Sequence, residues 1–142
     1  MGCLGIILGA FGAHGLEDTL LSQRLAALRT PESSPVPTEA AVAKKLATWE
    51  TAARYQMYHA FGLLAVGFIA CRRCGLTIHL AGTAMTLGTL IFAGCLYALV
   101  LSGLTWLGAV VPIGGALMIA GWALLAVAIA RLDTGESCGP QT

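Results

Sequence analysis

The chain has 142 residues, 57% of them hydrophobic and 11% charged, with a formal net charge of +1. Its mean hydropathy is +0.80. Soluble domains carry about 25% charged residues, so a soluble single-core domain is excluded, and the near-zero net charge gives no footprint for nucleic acid. Asp, Glu, Lys and Arg are confined to 17–54, 72–73 and 131–136, leaving 1–16, 55–71 and 74–130 uncharged. That pattern describes an all-α integral membrane protein.

The first apolar segment, Met1 to Leu16, spans about 24 Å as a helix, against a hydrocarbon core of about 30 Å. It lacks a Lys/Arg n-region and an evident cleavage site, so it reads as a retained, short first crossing over 2–15 and not as a leader. Gly5, Gly9 and Ala13 form a small-residue stripe suited to helix contact, and Gly12 lies beside it. Leu16, Leu20, Leu21, Leu25 and Leu28 then recur at helical spacing among Glu17, Asp18, Gln23 and Arg24. This predicts an amphipathic interfacial helix over 17–29. Pro31, Pro35 and Pro37 make 30–37 irregular.

Thr38 is a candidate cap for a second helix, with Glu39 in its first turn. Val42, Leu46, Trp49, Ala53, Met57, Ala60 and Leu64 give one apolar stripe, and no Gly or Pro interrupts Thr38 to Phe61. An aqueous or interfacial helix should therefore run directly into a membrane span over 55–71. Arg72 and Arg73 stop it. Further spans are expected at 76–102 and 107–130, with Arg131 closing the last. The expectation is a four-helix membrane bundle in one domain, 1–134, with both termini on one side, the 17–54 connection on the other, and a flexible tail at 135–142. Five Lys and Arg in the first connection against Arg72, Arg73 and Arg131 opposite leave sidedness open.

Several blocks resemble the small inner-membrane family catalogued as domain of unknown function 423, the YgdD-like proteins. They are Leu8-Gly-Ala-Phe-Gly-Ala-His-Gly-Leu16, Trp49-Glu-Thr-Ala-Ala-Arg-Tyr-Gln-Met-Tyr-His-Ala60, Phe92-Ala-Gly-Cys-Leu-Tyr97, and Pro112-Ile-Gly-Gly-Ala116 leading to Gly121-Trp122. The resemblance implies a four-helix protein of the bacterial cytoplasmic (inner) membrane with no established activity, and so supplies no catalytic residues. The chain departs from the pattern in a shorter apolar stretch before the first block, a longer 17–47 connection, and Cys95 in place of an expected Ser.

Topology places the end of the first span at the face where the second begins. His14, Glu50, Arg54, Tyr55, Gln56 and His59 are therefore candidate ligand-binding residues at one depth, with Glu17 nearby. Such polar groups are costly at a membrane boundary unless paired. They suit a lipid headgroup, a proton relay or a metal, or more plainly a hydrogen-bonded cluster locking two helix ends. His14 is expected to bond Glu50, Tyr55 or Gln56, and Arg54 to pair with Glu50. Cys71-Arg-Arg-Cys74, with His79 beyond, is a weak metal or redox signal, because zinc needs a second ligand pair. Gly94, Gly114, Gly115 and Gly121 are candidate helix-packing positions, and Pro112 marks a kink or close contact. Trp106 suits the interface and Trp122 a packing site. No metal or cofactor is expected. The function expected is a structural or accessory bundle that packs with itself as a homo-oligomer, with membrane lipid or with a larger membrane complex. A small-solute transport or channel module is the alternative, and a membrane enzyme or lipophilic-ligand binder the second.

Overall fold

The computed structural model describes residues 1–29, 38–72 and 75–131. The expected irregular segment 30–37, the tail 135–142 and Cys74 lie outside them. The described residues form four long helices: α1 (Gly2–Arg29), α2 (Glu39–Ala70), α3 (Leu76–Ser102) and α4 (Leu107–Ala130), with no strand among them. Three of these, α1, α3 and α4, are long and apolar enough to cross a membrane. The span expected at 55–71 lies in α2, whose apolar half is diluted by Arg54, Gln56 and His59.

Two expected elements are one. The first apolar helix (Gly2–Phe11) continues through a π-helical turn (Gly12–Leu16) into Glu17–Arg29. The amphipathic segment is thus an extension of the first helix and not a separate piece turned onto the surface. Such π-turns occur mostly as single insertions in α-helices. Here it keeps Gly5, Gly12, Leu16 and Leu20 buried along one seam.

α2 begins at Glu39, where the Thr38 hydroxyl accepts from the Ala41 amide at 3.2 Å, and runs unbroken to Ala70. It lies antiparallel to α1. A Cβ built on Gly2 would sit 3.8 Å from Ala60, on Gly9 3.8 Å from Ala53, and on Gly12 2.3 Å from the Trp49 ring. At the far end Arg24 lies 3.7 Å from Glu39. Read along this zipper, the apolar start of α1 lies beside Ala60, about 15 Å short of the end of α2 at 1.5 Å per residue. Beyond that level Leu64 and Phe68 are exposed on α2. At the end of α2 the Arg72 guanidinium lies 4.1 Å from the Phe68 ring.

α3 and α4 form the most extensive pair. Gly103, at φ 71°, caps α3 in the left-handed region that favours glycine and reverses the chain. The two backbones then touch. A Cβ on Gly114 would fall 2.6 Å from the Phe92 nitrogen, and one on Gly88 2.9 Å from the Gly114 carbonyl oxygen. One on Gly121 would meet the Met85 side chain at 2.6 Å and its backbone nitrogen at 3.0 Å. Backbone cannot step aside as a flexible side chain can, so these positions require glycine. α4 runs through Pro112 without interruption, its Gly114 seated against α3 two residues on.

The cores follow from this pairing. Val66, Ile78, Ala81, Met85 and Leu125 form one cluster, Ala52, Ala93 and Leu96 a second, and Leu16, Leu20, Val42, Trp49 and Val100 a third. Gly94 meets no atom within 4 Å, and a Cβ on Gly115 would only graze Phe92 at 4.0 Å. Gly94 is exposed and borders a small cleft shared with Met1, Leu4 and Leu8, so it makes no close helix contact among the described residues. Gly114→Leu should lower detergent stability by about 1–3 kcal/mol through overpacking, while Gly94→Leu leaves it nearly unchanged. Thermal melting of both variants, followed by helical circular dichroism, checks this difference.

Candidate functional site

Buried polar side chains on α2 define the site. Trp49, Gln56 and His59 fall at spacings of seven and three, which puts them on one side of a helix. All three are at most 5% exposed. Each reaches a different partner. The Trp49 indole N–H donates to the Leu8 carbonyl of α1 at 2.7 Å. Gln56 Nε2 donates to the Met1 carbonyl at 3.1 Å, while its Oε1 accepts from the Tyr97 hydroxyl of α3 at 3.1 Å. His59 Nδ1 lies 2.8 Å from the Tyr55 carbonyl oxygen, and its Nε2 3.2 Å from the Trp122 indole nitrogen of α4.

The His59 contacts select a tautomer. A carbonyl oxygen only accepts and an indole N–H only donates. His59 Nδ1 must therefore carry the hydrogen and Nε2 the lone pair. A hydrogen on Nε2 would oppose the Trp122 N–H donor and break the link between α2 and α4.

Of the residues expected to meet at this depth, some do and some do not. Gln56 and His59 are buried in the bundle, and Tyr55 stacks beside the imidazole at 6.3 Å between centroids. Glu50 and Arg54 pair with each other on the exposed surface. His14 does not join them. It is exposed on the π-turn, and its ring makes no hydrogen bond to Glu50, Tyr55 or Gln56. Two offsets cause this. Along the antiparallel pair His14 lies beyond the Trp49 level, about 16 Å from the start of α1 that sits beside His59. Gly12, not Ala13, faces Trp49, so His14 is also turned off the α1–α2 seam. Cys71 and His79 are exposed. Among the described residues no group of three or more His, Cys, Asp or Glu is placed to hold a metal ion.

Three partners escaped the sequence reading. In the sequence Trp49 lies on the apolar stripe, Trp122 suits packing, and Tyr97 belongs to a family block without a role of its own. A usable signal was present, since a Trp N–H or Tyr O–H buried among apolar helices usually finds a partner. Pairing them required knowledge of which helices touch.

Two large clefts open beside this network, with a smaller one of about 110 Å³ between α1 and α3 at Gln56 and Tyr97. One, of about 410 Å³, lies between α1 and α2 and is walled by Gly9, Gly12, Ala47, Trp49 and Glu50. The other, of about 510 Å³, lies between α2 and α4, with Tyr55, Tyr58, Phe92, Ile119 and Trp122 around it and His59 at its back.

Residues 8–115 match the family model described as a protein of unknown function, DUF423. The chain belongs to this family. It is 39% identical over 120 residues to a UPF0382 membrane protein of Staphylococcus epidermidis, covering 84% of this chain and 80% of the relative. With the UPF0382 membrane protein YwdK of Bacillus subtilis it shares 36% identity over 129 residues, 90% of this chain and 88% of the relative. The UPF0382 inner membrane protein YgdD of Escherichia coli K12 is 31% identical over 131 residues, 92% of this chain and 84% of YgdD. No solved structure matches the chain. With three apolar helices of spanning length, this DUF423 member is a multi-pass membrane protein.

Replacing Trp122 by Phe keeps the ring and removes its N–H. It should cost about 0.5–2 kcal/mol in detergent, the range of interhelical hydrogen bonds in membrane proteins. Gln56→Leu, which breaks two contacts, should cost at least as much. His14→Ala should fall within about 0.5 kcal/mol of the parent, as for exposed positions generally. Melting curves of the three variants measure the contrast.

Proposed function

We propose that this DUF423 protein is a structural or accessory bundle of the bacterial cytoplasmic membrane, built to hold its own helices together and to present apolar faces to lipid, a second copy or a larger membrane complex. One observation carries the reading. The polar side chains buried on α2 are engaged in bonds to α1, α3 and α4. A group already paired inside the bundle serves cohesion. A conduction path would need groups that turn toward a solute, and catalysis a group free to move a proton.

In this reading all four helices enter the membrane. α2 does so through 55–71, the uncharged stretch between Arg54 and Arg72, which is about 26 Å long and close to the thickness of a hydrocarbon core. α1 enters the same slab as far as the level of Ala60, and its Glu17–Arg29 half lies at the interface with the first turns of α2. Polar pairing matters more there, because lipid competes poorly for a hydrogen bond and gives helices no hydrophobic reason to associate.

Purified protein in sealed proteoliposomes tests the proposal. Dye-reported proton and small-ion leakage should equal that of protein-free vesicles, and Gln56→Leu and His59→Ala should lower the melting temperature without changing it. A saturable flux above the lipid background, lost in His59→Ala while the fold melts as before, would reject the reading in favour of a transport module.

A further inference from the structure

We infer that the cleft between α2 and α4 is a seat for a single glycerophospholipid, with one acyl chain in the cleft and the phosphodiester at its rim. The cleft measures about 510 Å³ and is not filled by any of the described residues. Its vertical position gives it two ends of different chemistry. The rim is formed by Tyr55 and Tyr58, immediately after Arg54, the last charge on α2 before the uncharged run to Cys71. The deep end is formed by Met118, Ile119 and Trp122, near the middle of α4 and well inside the apolar slab.

The rim carries unspent donors. The Tyr55 and Tyr58 rings lie 6.0 Å apart, are 40% and 55% exposed, and their hydroxyls make no hydrogen bond to the described residues. Arg54 is one helical turn above Tyr58 on the same face. Its Nη2 pairs with Glu50, but a guanidinium has five N–H donors. Tyrosine hydroxyls and a guanidinium at a membrane boundary match the ester and phosphodiester oxygens of a phospholipid, which accept and do not donate. Water does not satisfy the lower part, whose polar groups are already paired in the bond between Trp122 and His59.

The walls are preset. Tyr55 lies 5.0 Å from the Phe92 ring, which backs the cleft from α3, and the His59–Trp122 bond fixes the floor. Gly115 keeps the entrance open on α4, where its missing side chain leaves Phe92 4.0 Å from a Cβ position. A rigid slot with an apolar end and an accepting-group end holds one chain of a lipid at lower ordering cost than a flexible one. The inference rests on the proposed entry of α2 into the membrane through 55–71, and lipid binding is tested separately from the cohesive role of the hydrogen bonds.

Trp122 supplies the readout. In dodecyl maltoside, phosphatidylglycerol brominated on one acyl chain is titrated into the Trp106→Phe protein, and into the Trp106→Phe, Trp122→Phe double variant, whose remaining Trp49 emission reports the α1–α2 cleft and is subtracted. Tryptophan emission should fall along a saturable curve. Gly115→Leu, which occupies the slot, should weaken the apparent affinity at least tenfold, and Tyr55→Phe with Tyr58→Phe should weaken it several-fold while melting as the parent does. Three results would overturn the inference. Quenching could rise linearly without saturation, or a brominated fatty acid could quench equally well with no effect of the tyrosine changes. The protein could also prove dimeric by light scattering and become monomeric in Gly115→Leu, which would assign the cleft to a second copy. If Gly115→Leu melts below the parent, Gly115→Ala and the double Phe variant decide, and unchanged affinity in both rejects the site.

Discussion

A polar side chain buried among apolar helices has to find its partner inside the protein, and α2 carries three such side chains on one side. Trp49, Gln56 and His59 impose that constraint on everything around them. The three are matched to α1, α3 and α4 in turn, so the helix that is least apolar is the one that fixes the places of the others. Lipid-facing surfaces tolerate many helix rotations. A donor 2.7 Å from a particular carbonyl tolerates few.

The glycines follow from this. Trp49 can reach the Leu8 carbonyl only by lying flat on the α1 backbone, and Gly12 is where the indole passes. Gly62 stands in the same relation to Trp122, whose ring lies 3.0 Å from where a Cβ would be. In each case a large amphipathic side chain on one helix is accommodated by the missing side chain on another. The α3–α4 contact works differently. There glycine meets backbone at Gly88 and Gly114, with no polar side chain bridging them, and van der Waals contact between main chains is the attraction. The bundle thus joins a tight backbone-to-backbone pair to a polar-stitched one, and the two large clefts open beside α2.

The π-turn belongs to the stitched side too. It lies directly after Phe11, whose ring is 5.6 Å from Trp49, and Trp49 in turn is 4.5 Å from Tyr97. The aromatic stack therefore marks the level where α1 leaves its apolar half and continues as the charged half that meets Glu39. A rigid joint at that level lets one helix serve two environments without a break in its hydrogen bonds.

Sequence alone determined the helical class, the membrane setting and most helix limits, because charge is excluded from apolar spans and because prolines and caps act locally. Thr38 caps α2 for the same local reason, whereas the apolar stripe read from Val42 to Leu64 holds as a buried face only to Ala53, beyond which Gln56, His59, Gly62 and Val66 are buried and Leu64 is exposed. The Glu50–Arg54 pair was legible as well, being four residues apart on one helix. Tertiary structure alone decided which polar residues meet. Topology from sequence suggests one depth for His14 and His59, yet the α1–α2 pairing sets His14 outside and about 16 Å along the helices from His59, which is bonded to Trp122, sixty-three positions away. The same pairing put Gly12 in place of Ala13 on the seam. Periodicity gives the spacing of residues around a helix, but the direction in which that helix faces is set by contacts with helices distant in the chain.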